Sequence, residues 1–290
     1  HNCTIPDGEK QHTLIKGDPE KKYILAIDPS FSNSPSSDYF AMSVLELDED
    51  KGNESTLVHA YAVAGGDLKD HIKYLYYLMT SFKIELLIID NAGYQFIDSA
   101  NESELFRDAR IDLKFFDFNS DKNGNEYQQM LLKAKSQYNV KENVICFKQL
   151  FSSTFLREAN EYLQASIDHK RIWFASRTAA CGSFFDKASA QAVPIKLMPY
   201  ENKGDLIEFQ DDIIYQTKKQ CALVEVKTTA KGMQTFDLPQ HLKRSTSVNR
   251  ARKDNYTTLM LGNWGIKAYN DLKNTKVEQI SNTFTPRMLG

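Results

Sequence analysis

Residues 1–20, which include the run Lys16-Gly17-Asp18-Pro19-Glu20, are polar and turn-rich and predict an arm or linker leading into a folded unit. The first apolar block, YILAI (Tyr23–Ile27), predicts a buried strand that stops at Asp28-Pro29, because Pro29 cannot donate to a sheet ladder. A small polar loop over 30–38 separates it from YFAMSVLEL (Tyr39–Leu47), whose β-branched and aromatic content predicts a second strand. After a turn over Asp48–Glu54, a third strand is expected at Thr56–Ala64, and the short connections imply an antiparallel meander. The pattern then changes period: Leu68, Ile72, Leu75 and Met79 recur at helical spacing behind a capping Asp67, which predicts a helix over Leu68–Phe82. The next run, ELLIID (Glu85–Asp90), reads as a buried strand brought back parallel to the first by that helical crossover.

Beyond Asn91-Ala92-Gly93 a helix is expected through Arg107, followed by a strand at Asp112–Phe118. Helical patterns recur at Glu126–Gln137 and Ser153–His169, with a short strand at RIWF and an irregular stretch over Ala175–Asn202. A helix opens at Asp205 with Leu206, Phe209, Ile213 and Ile214 on its inward face. CALVEVKTT and MQTFDL, joined by a turn containing Gly232, predict a β-hairpin. His241–Lys253 is almost free of apolar residues and reads as an exposed loop, and a last helix is expected over Asp254–Leu272. The mid-helix pair Asp211 and Asp212 is assigned to a solvated face, and Trp173 and Trp264 to the core.

In 290 residues, 36 basic side chains against 38 acidic ones leave a net charge of −2, which by itself argues against a nucleic-acid partner. No apolar run approaches the roughly eighteen residues of a membrane span, and no secretory signal is visible at the start. The four cysteines lack CxxC spacing, so neither a zinc knuckle nor a disulfide framework is predicted. No His pair flanks a Glu at zincin spacing and no Ser occupies a G-x-S-x-G elbow.

Three aspartates stand out by context: Asp28 ends the first strand, Asp90 ends the fourth, and Asp254 opens the last helix. Each has an ordinary reading as a turn former or helix cap. If the first and fourth strands are parallel neighbours, their carboxyl ends meet at the edge where open α/β sheets take ligands. Three converging carboxylates repel one another unless a cation neutralises them, and hard oxygen donors suit Mg²⁺ or Mn²⁺.

These same stretches resemble a known family. AIDPSFSNSPSSDYFAMSVLEL, IELLIIDNAGYQ and NRARKDNYTTLMLGNWGIKAY are similar, in that order, to the three acidic motifs of the nuclease domain of tailed-bacteriophage large terminase subunits, over roughly residues 20–272. The resemblance implies an α/β, RNase H-like fold with a mixed sheet flanked by helices and an added hairpin, in a single domain over 21–290. It implies a metal-dependent endonuclease that cuts concatemeric double-stranded DNA with little sequence specificity, holding one or two Mg²⁺ or Mn²⁺ ions through Asp28, Asp90 and Asp254. Asp38 and Asn255 are auxiliary candidates; Asn255 stands where many members carry a second acid. The family's ATPase motif, G-x-x-x-x-G-K-[ST], is not found here, so residues 1–20 are read as the connection from an N-terminal ATPase motor domain. Portal protein, small terminase subunit and procapsid are the further partners implied, and the host cytoplasm the implied location.

Lys243, Arg244, Arg250, Arg252 and Lys253 crowd the segment before Asp254, and with Lys231 on the hairpin they are the candidate phosphate contacts. A near-neutral total is thus compatible with a cationic rim around an anionic centre. The rival readings are a Holliday-junction resolvase or transposase-like nuclease on the same fold, and a non-catalytic RNase H-like or actin-like docking module.

Overall fold

In the computed structural model, which describes residues 13–34, 36–51, 54–118, 143–175, 203–228, 234–243 and 251–274, the predicted meander and its parallel extension form one sheet. Its strands are β1 (Tyr23–Asp28), β2 (Tyr39–Leu47), β3 (Ser55–Ala64), β4 (Ile84–Asp90), β5 (Asp112–Phe118), β6 (Asn143–Gln149) and β7 (Ile172–Phe174), in the order β5-β6-β4-β1-β2-β3-β7. β2 runs antiparallel to both β1 and β3, while β1, β4, β6 and β5 are mutually parallel. The mixed sheet is the one that the meander and crossover predict, and its order agrees with the RNase H-like fold that the resemblance implies. β6, NVICFKQ, was not anticipated: its apolar run is short and closes on Lys148 and Gln149, so neither periodicity marks it.

Helices cover both faces. On one lie α1 (Leu68–Ser81), capped by the Asp67 carboxylate accepting from the Lys69 N–H, and the pair α2 (Tyr94–Glu102) and α3 (Glu104–Asp108). The single helix expected here is broken because Ser103 turns extended and its hydroxyl caps α3 through the Phe106 N–H. Tyr23, Leu25 and Ile27 of β1 pack into this layer with Leu75, Leu78, Phe96 and Ile97. The other layer holds α4 (Ser153–Asp168), α5 (Lys203–Leu223) and the C-terminal helix, with Ile24 and Ala26 of β1 facing it. α5 runs through Cys221–Leu223, residues assigned from sequence to a strand, so the hairpin is shorter: β8 (Glu225–Thr228) paired antiparallel with β9 (Gln234–Asp237). Asp211 does not lie on a solvated face; it is buried and accepts a hydrogen bond from Thr13, and Gln210 beside it is fully buried, while Asp212 is exposed. Part of the segment expected to be an exposed loop is the short α6 (Gln240–Lys243).

The last helix, α7 (Asp254–Asn274), is buried along almost its whole length. It sits close on the sheet because Gly262 and Gly265 face it: a Cβ on Gly262 would come within 2.4 Å of Leu45 Cδ1, and one on Gly265 within 3.0 Å of Ile24 Cγ2. A buried hydrogen bond between Ser43 of β2 and Thr258 pins its first turns. Trp264 is core as expected, whereas Trp173 is half-buried at the sheet's edge. No helix among the described residues is long and apolar enough to cross a membrane. The helix expected at Glu126–Gln137, the stretch 176–202, and Lys231, Arg244 and Arg250 lie outside the described residues.

Candidate active site

Parallel pairing of β1 with β4 runs in register to Ile27 opposite Ile89, so the next residues, Asp28 and Asp90, leave the sheet side by side. Behind them the two chain turns touch. A Cβ on Gly93 would lie 2.7 Å from Pro29 Cγ and 2.5 Å from Ile89 Cδ1, so only glycine permits this approach. α7 delivers Asp254 to the same edge from its first turn, where the helix N-terminus favours an anion. The three aspartates line one cleft of about 520 Å³. Asp38 lines it as well, from the exposed end of the β1–β2 loop.

The electrostatics are those of crowded like charges. Asp28 is pushed well above the usual carboxylate range, by burial first and then by the negative charges of Asp254, Asp90 and Asp38; Lys253 acts in the opposite direction. Burial also raises Asp90, partly offset by the backbone amides of Ala92 and Asn91. Asp254 is buried, and its Oδ2 accepts the Tyr39 N–H at 2.7 Å. Among the described residues no three acidic, histidine or cysteine side chains are drawn tightly enough together to enclose one ion. The aspartates therefore share a cavity without forming a closed coordination shell. Their chemistry still fits a hard divalent cation, since three carboxylates offer only oxygen and a positive ion would relieve the repulsion that disfavours ionised Asp28.

The auxiliary and basic candidates divide. Asn255 is buried and is not among the residues that line the cleft, and its side-chain nitrogen has no hydrogen-bond partner among the described residues. Lys253 lines the cleft, but its Nζ lies 3.5 Å from Asp237 Oδ1 and donates to the Phe236 carbonyl at 3.1 Å, so it ties the site to β9. Arg252, expected on an exposed rim, is buried: it donates from Nε to the Ser37 carbonyl at 2.7 Å, and its guanidinium lies over the Tyr39 ring. Its stacking and hydrogen bonds outweigh the polar character of the segment. Lys243 lies at the end of α6. Lys227 on β8 is paired with Glu225.

Sequence reasoning missed Asp237, which lines the cleft from the end of β9. A signal existed: like Asp28, it ends a strand shortly before a proline, in Asp237-Leu238-Pro239. A further wall comes from the first half of α4, through Ser153, Leu156 and Asn160, the last of which accepts a hydrogen bond from the Tyr256 hydroxyl of α7.

No family model and no curated protein matches the chain. Among solved structures, it is similar to the large terminase nuclease of thermophilic phage G20c, with 14% identity over 85% of this chain and 83% of that one and a TM-score of 0.42. The large terminase of bacteriophage HK97 aligns at 9% identity over 87% of this chain and 40% of that one, with a TM-score of 0.45. The nuclease domain of the large terminase subunit gp2 of bacterial virus Sf6 aligns at 9% identity over 83% and 87%, with a TM-score of 0.40. At such scores these likenesses carry no weight for function, which rests on the cleft itself.

Proposed function

We propose that this chain is a divalent-metal-dependent nuclease domain that hydrolyses DNA phosphodiester bonds, of the kind found in phage large terminase subunits. One observation carries the reading: Asp28, Asp90 and Asp254, from two parallel strands and a distant helix, line a single cleft where their charges disfavour one another. The order and context of the three acidic motifs support the terminase type. Asp28, Asp90 and Asp254 would hold one or two Mg²⁺ or Mn²⁺ ions. When bound, such ions supply an activated water and neutralise charge on the phosphate.

The chain's own groups do the rest. Asp90 and Asp28 set two donors at the spacing of neighbouring strands, and the Tyr39 N–H orients Asp254. Lys253, the cation beside Asp28, would draw a phosphate toward the acids, and Lys243, Arg244, Arg250 and Lys231 would be further contacts to the DNA backbone. Charge contacts of this kind give affinity with little sequence preference, which fits cutting of concatemeric double-stranded DNA. On this reading the natural partners are an ATPase motor domain, portal, small terminase subunit and procapsid, met in the host cytoplasm.

The test is Mn²⁺-dependent nicking of supercoiled plasmid. Asp90→Ala is expected to reduce it at least about 100-fold, at or beyond the upper end of what removing an outer-shell partner costs. Unchanged nicking by that variant would overturn the assignment. A wild-type protein that neither cuts nor binds Mn²⁺ favours a docking module, and a marked preference for branched over linear DNA favours a junction resolvase.

A further inference from the structure

Arg252 closes a ring at the entrance to α7. Its Nε donates to the Ser37 carbonyl at 2.7 Å, one terminal nitrogen lies 3.4 Å from the Tyr39 hydroxyl, and the guanidinium carbon is 4.5 Å from the centre of the Tyr39 ring. The Tyr39 N–H in turn donates to Asp254 Oδ2 at 2.7 Å, and the main chain from Asp254 back through Lys253 returns to Arg252. Ser37 and Tyr39 flank Asp38, so the ring encloses two of the carboxylates that line the cleft. Tyr39 is the first residue of β2 and pairs with Ala64 of β3, which anchors one side of the ring to the sheet. The loop on the other side is an exposed serine-rich segment tied by local hydrogen bonds, such as Ser34 with Ser36 and the Ser37 N–H to the Ser34 carbonyl, whereas Arg252 ties it to α7.

From this geometry we infer that Arg252 is a positioning residue: it clamps the Ser37–Tyr39 segment to the start of α7 and so fixes the Asp254 and Asp38 carboxylates relative to Asp28. The inference rests on the nuclease reading and deepens it. Arginine suits the position because its planar fork can donate in its own plane while stacking on an aromatic face. Lysine keeps the charge and can reach one carbonyl, but it has no plane to stack and no fork. A residue that held DNA phosphate by charge would tolerate that exchange; a clamp would not.

Arg252→Lys therefore separates the two roles. With the clamp loosened, Mn²⁺ affinity measured by calorimetry without DNA is expected to fall about 10-fold, as for outer-shell partners of metal ligands. Plasmid nicking should lose kcat by a similar factor, while DNA affinity in Ca²⁺ and its salt dependence stay within about twofold of wild type. Tyr39→Leu, which removes the stacking face and leaves the backbone N–H in place, should move Mn²⁺ affinity the same way and serves if Arg252→Lys does not fold. The inference is overturned if the variants lose DNA affinity with a flatter salt dependence and unchanged Mn²⁺ binding, the signature of a phosphate contact, or if they match wild type throughout. In both cases a wild-type protein that binds Mn²⁺ and cuts leaves the nuclease reading standing. A wild-type protein that does neither overturns both.

Discussion

His59 shows how a single residue can couple stability to pH. It is fully buried on β3, where Nδ1 meets the Leu14 carbonyl and Nε2 lies 2.7 Å from the Tyr74 hydroxyl. A carbonyl can only accept, so Nδ1 carries the proton and Nε2 accepts from Tyr74, whose oxygen accepts in turn from Gln210; Gln210 Oε1 takes the Ala60 N–H. Every member of this buried chain is satisfied with the imidazole neutral, and burial pushes its pKa down from 6.5 to about 4. The unfolded chain takes up the proton below about 6.5 and the folded one only near 4. Stability from this group is thus intact above about pH 6.5 and declines as pH falls toward 4, by about 2 kcal/mol at pH 5. Urea midpoints at pH 7 and pH 5 should show wild type losing about 2 kcal/mol more than His59→Gln, although the variant starts less stable. Equal losses in the two proteins would remove His59 as the cause.

Among the elements, α7 matters most because it delivers the third acid, and its seat on the sheet depends on Gly262 and Gly265. Gly262→Val places branched carbons against fully buried Leu45, with an expected loss of about 2 kcal/mol in chemical denaturation and a displaced Asp254. A crystal structure of the variant with α7 unmoved would contradict this. Strands β1 to β4 were readable as sequence because central strands covered on both faces appear as continuous apolar runs, and the acids that close β1 and β4 interrupt those runs at visible points. Other features could not be read locally. Cys221–Leu223 is equally apolar as the end of a helix or the start of a strand, and only its packing against neighbours decides. Arg252 looks like any loop cation until Tyr39, more than two hundred positions away, lies beneath it. Asp237 ends a half-exposed hairpin strand, so although its place before Pro239 marks a strand end, nothing in the pattern shows that the end faces inward.

At the scale of the whole molecule, part of the expected N-terminal arm is built into the domain. Leu14 N–H donates to the Val58 carbonyl, the Tyr77 hydroxyl donates to the Ile15 carbonyl, the Gly17 N–H donates to the Ser81 carbonyl, and Ile15 is buried. A chain starting at Asp18 would leave Tyr77 and His59 with lost partners in the core and Ile15's contacts missing. It should be about 3–5 kcal/mol less stable than one starting at Thr13, as measured by urea unfolding at pH 7. A difference below about 1 kcal/mol would show that the arm only rests on the surface.

The hydrogen bond from Tyr39 to Asp254 spans 215 positions of the chain. At roughly ten residues per second, a ribosome that has made the first two acids takes about sixteen seconds to reach the third. During that interval the growing chain holds two carboxylates at a sheet edge whose covering helix does not yet exist. The order of synthesis thus acts as a timer: whatever the three acids accomplish together is withheld until the domain is nearly complete, and a chain cut short before α7 is born without it.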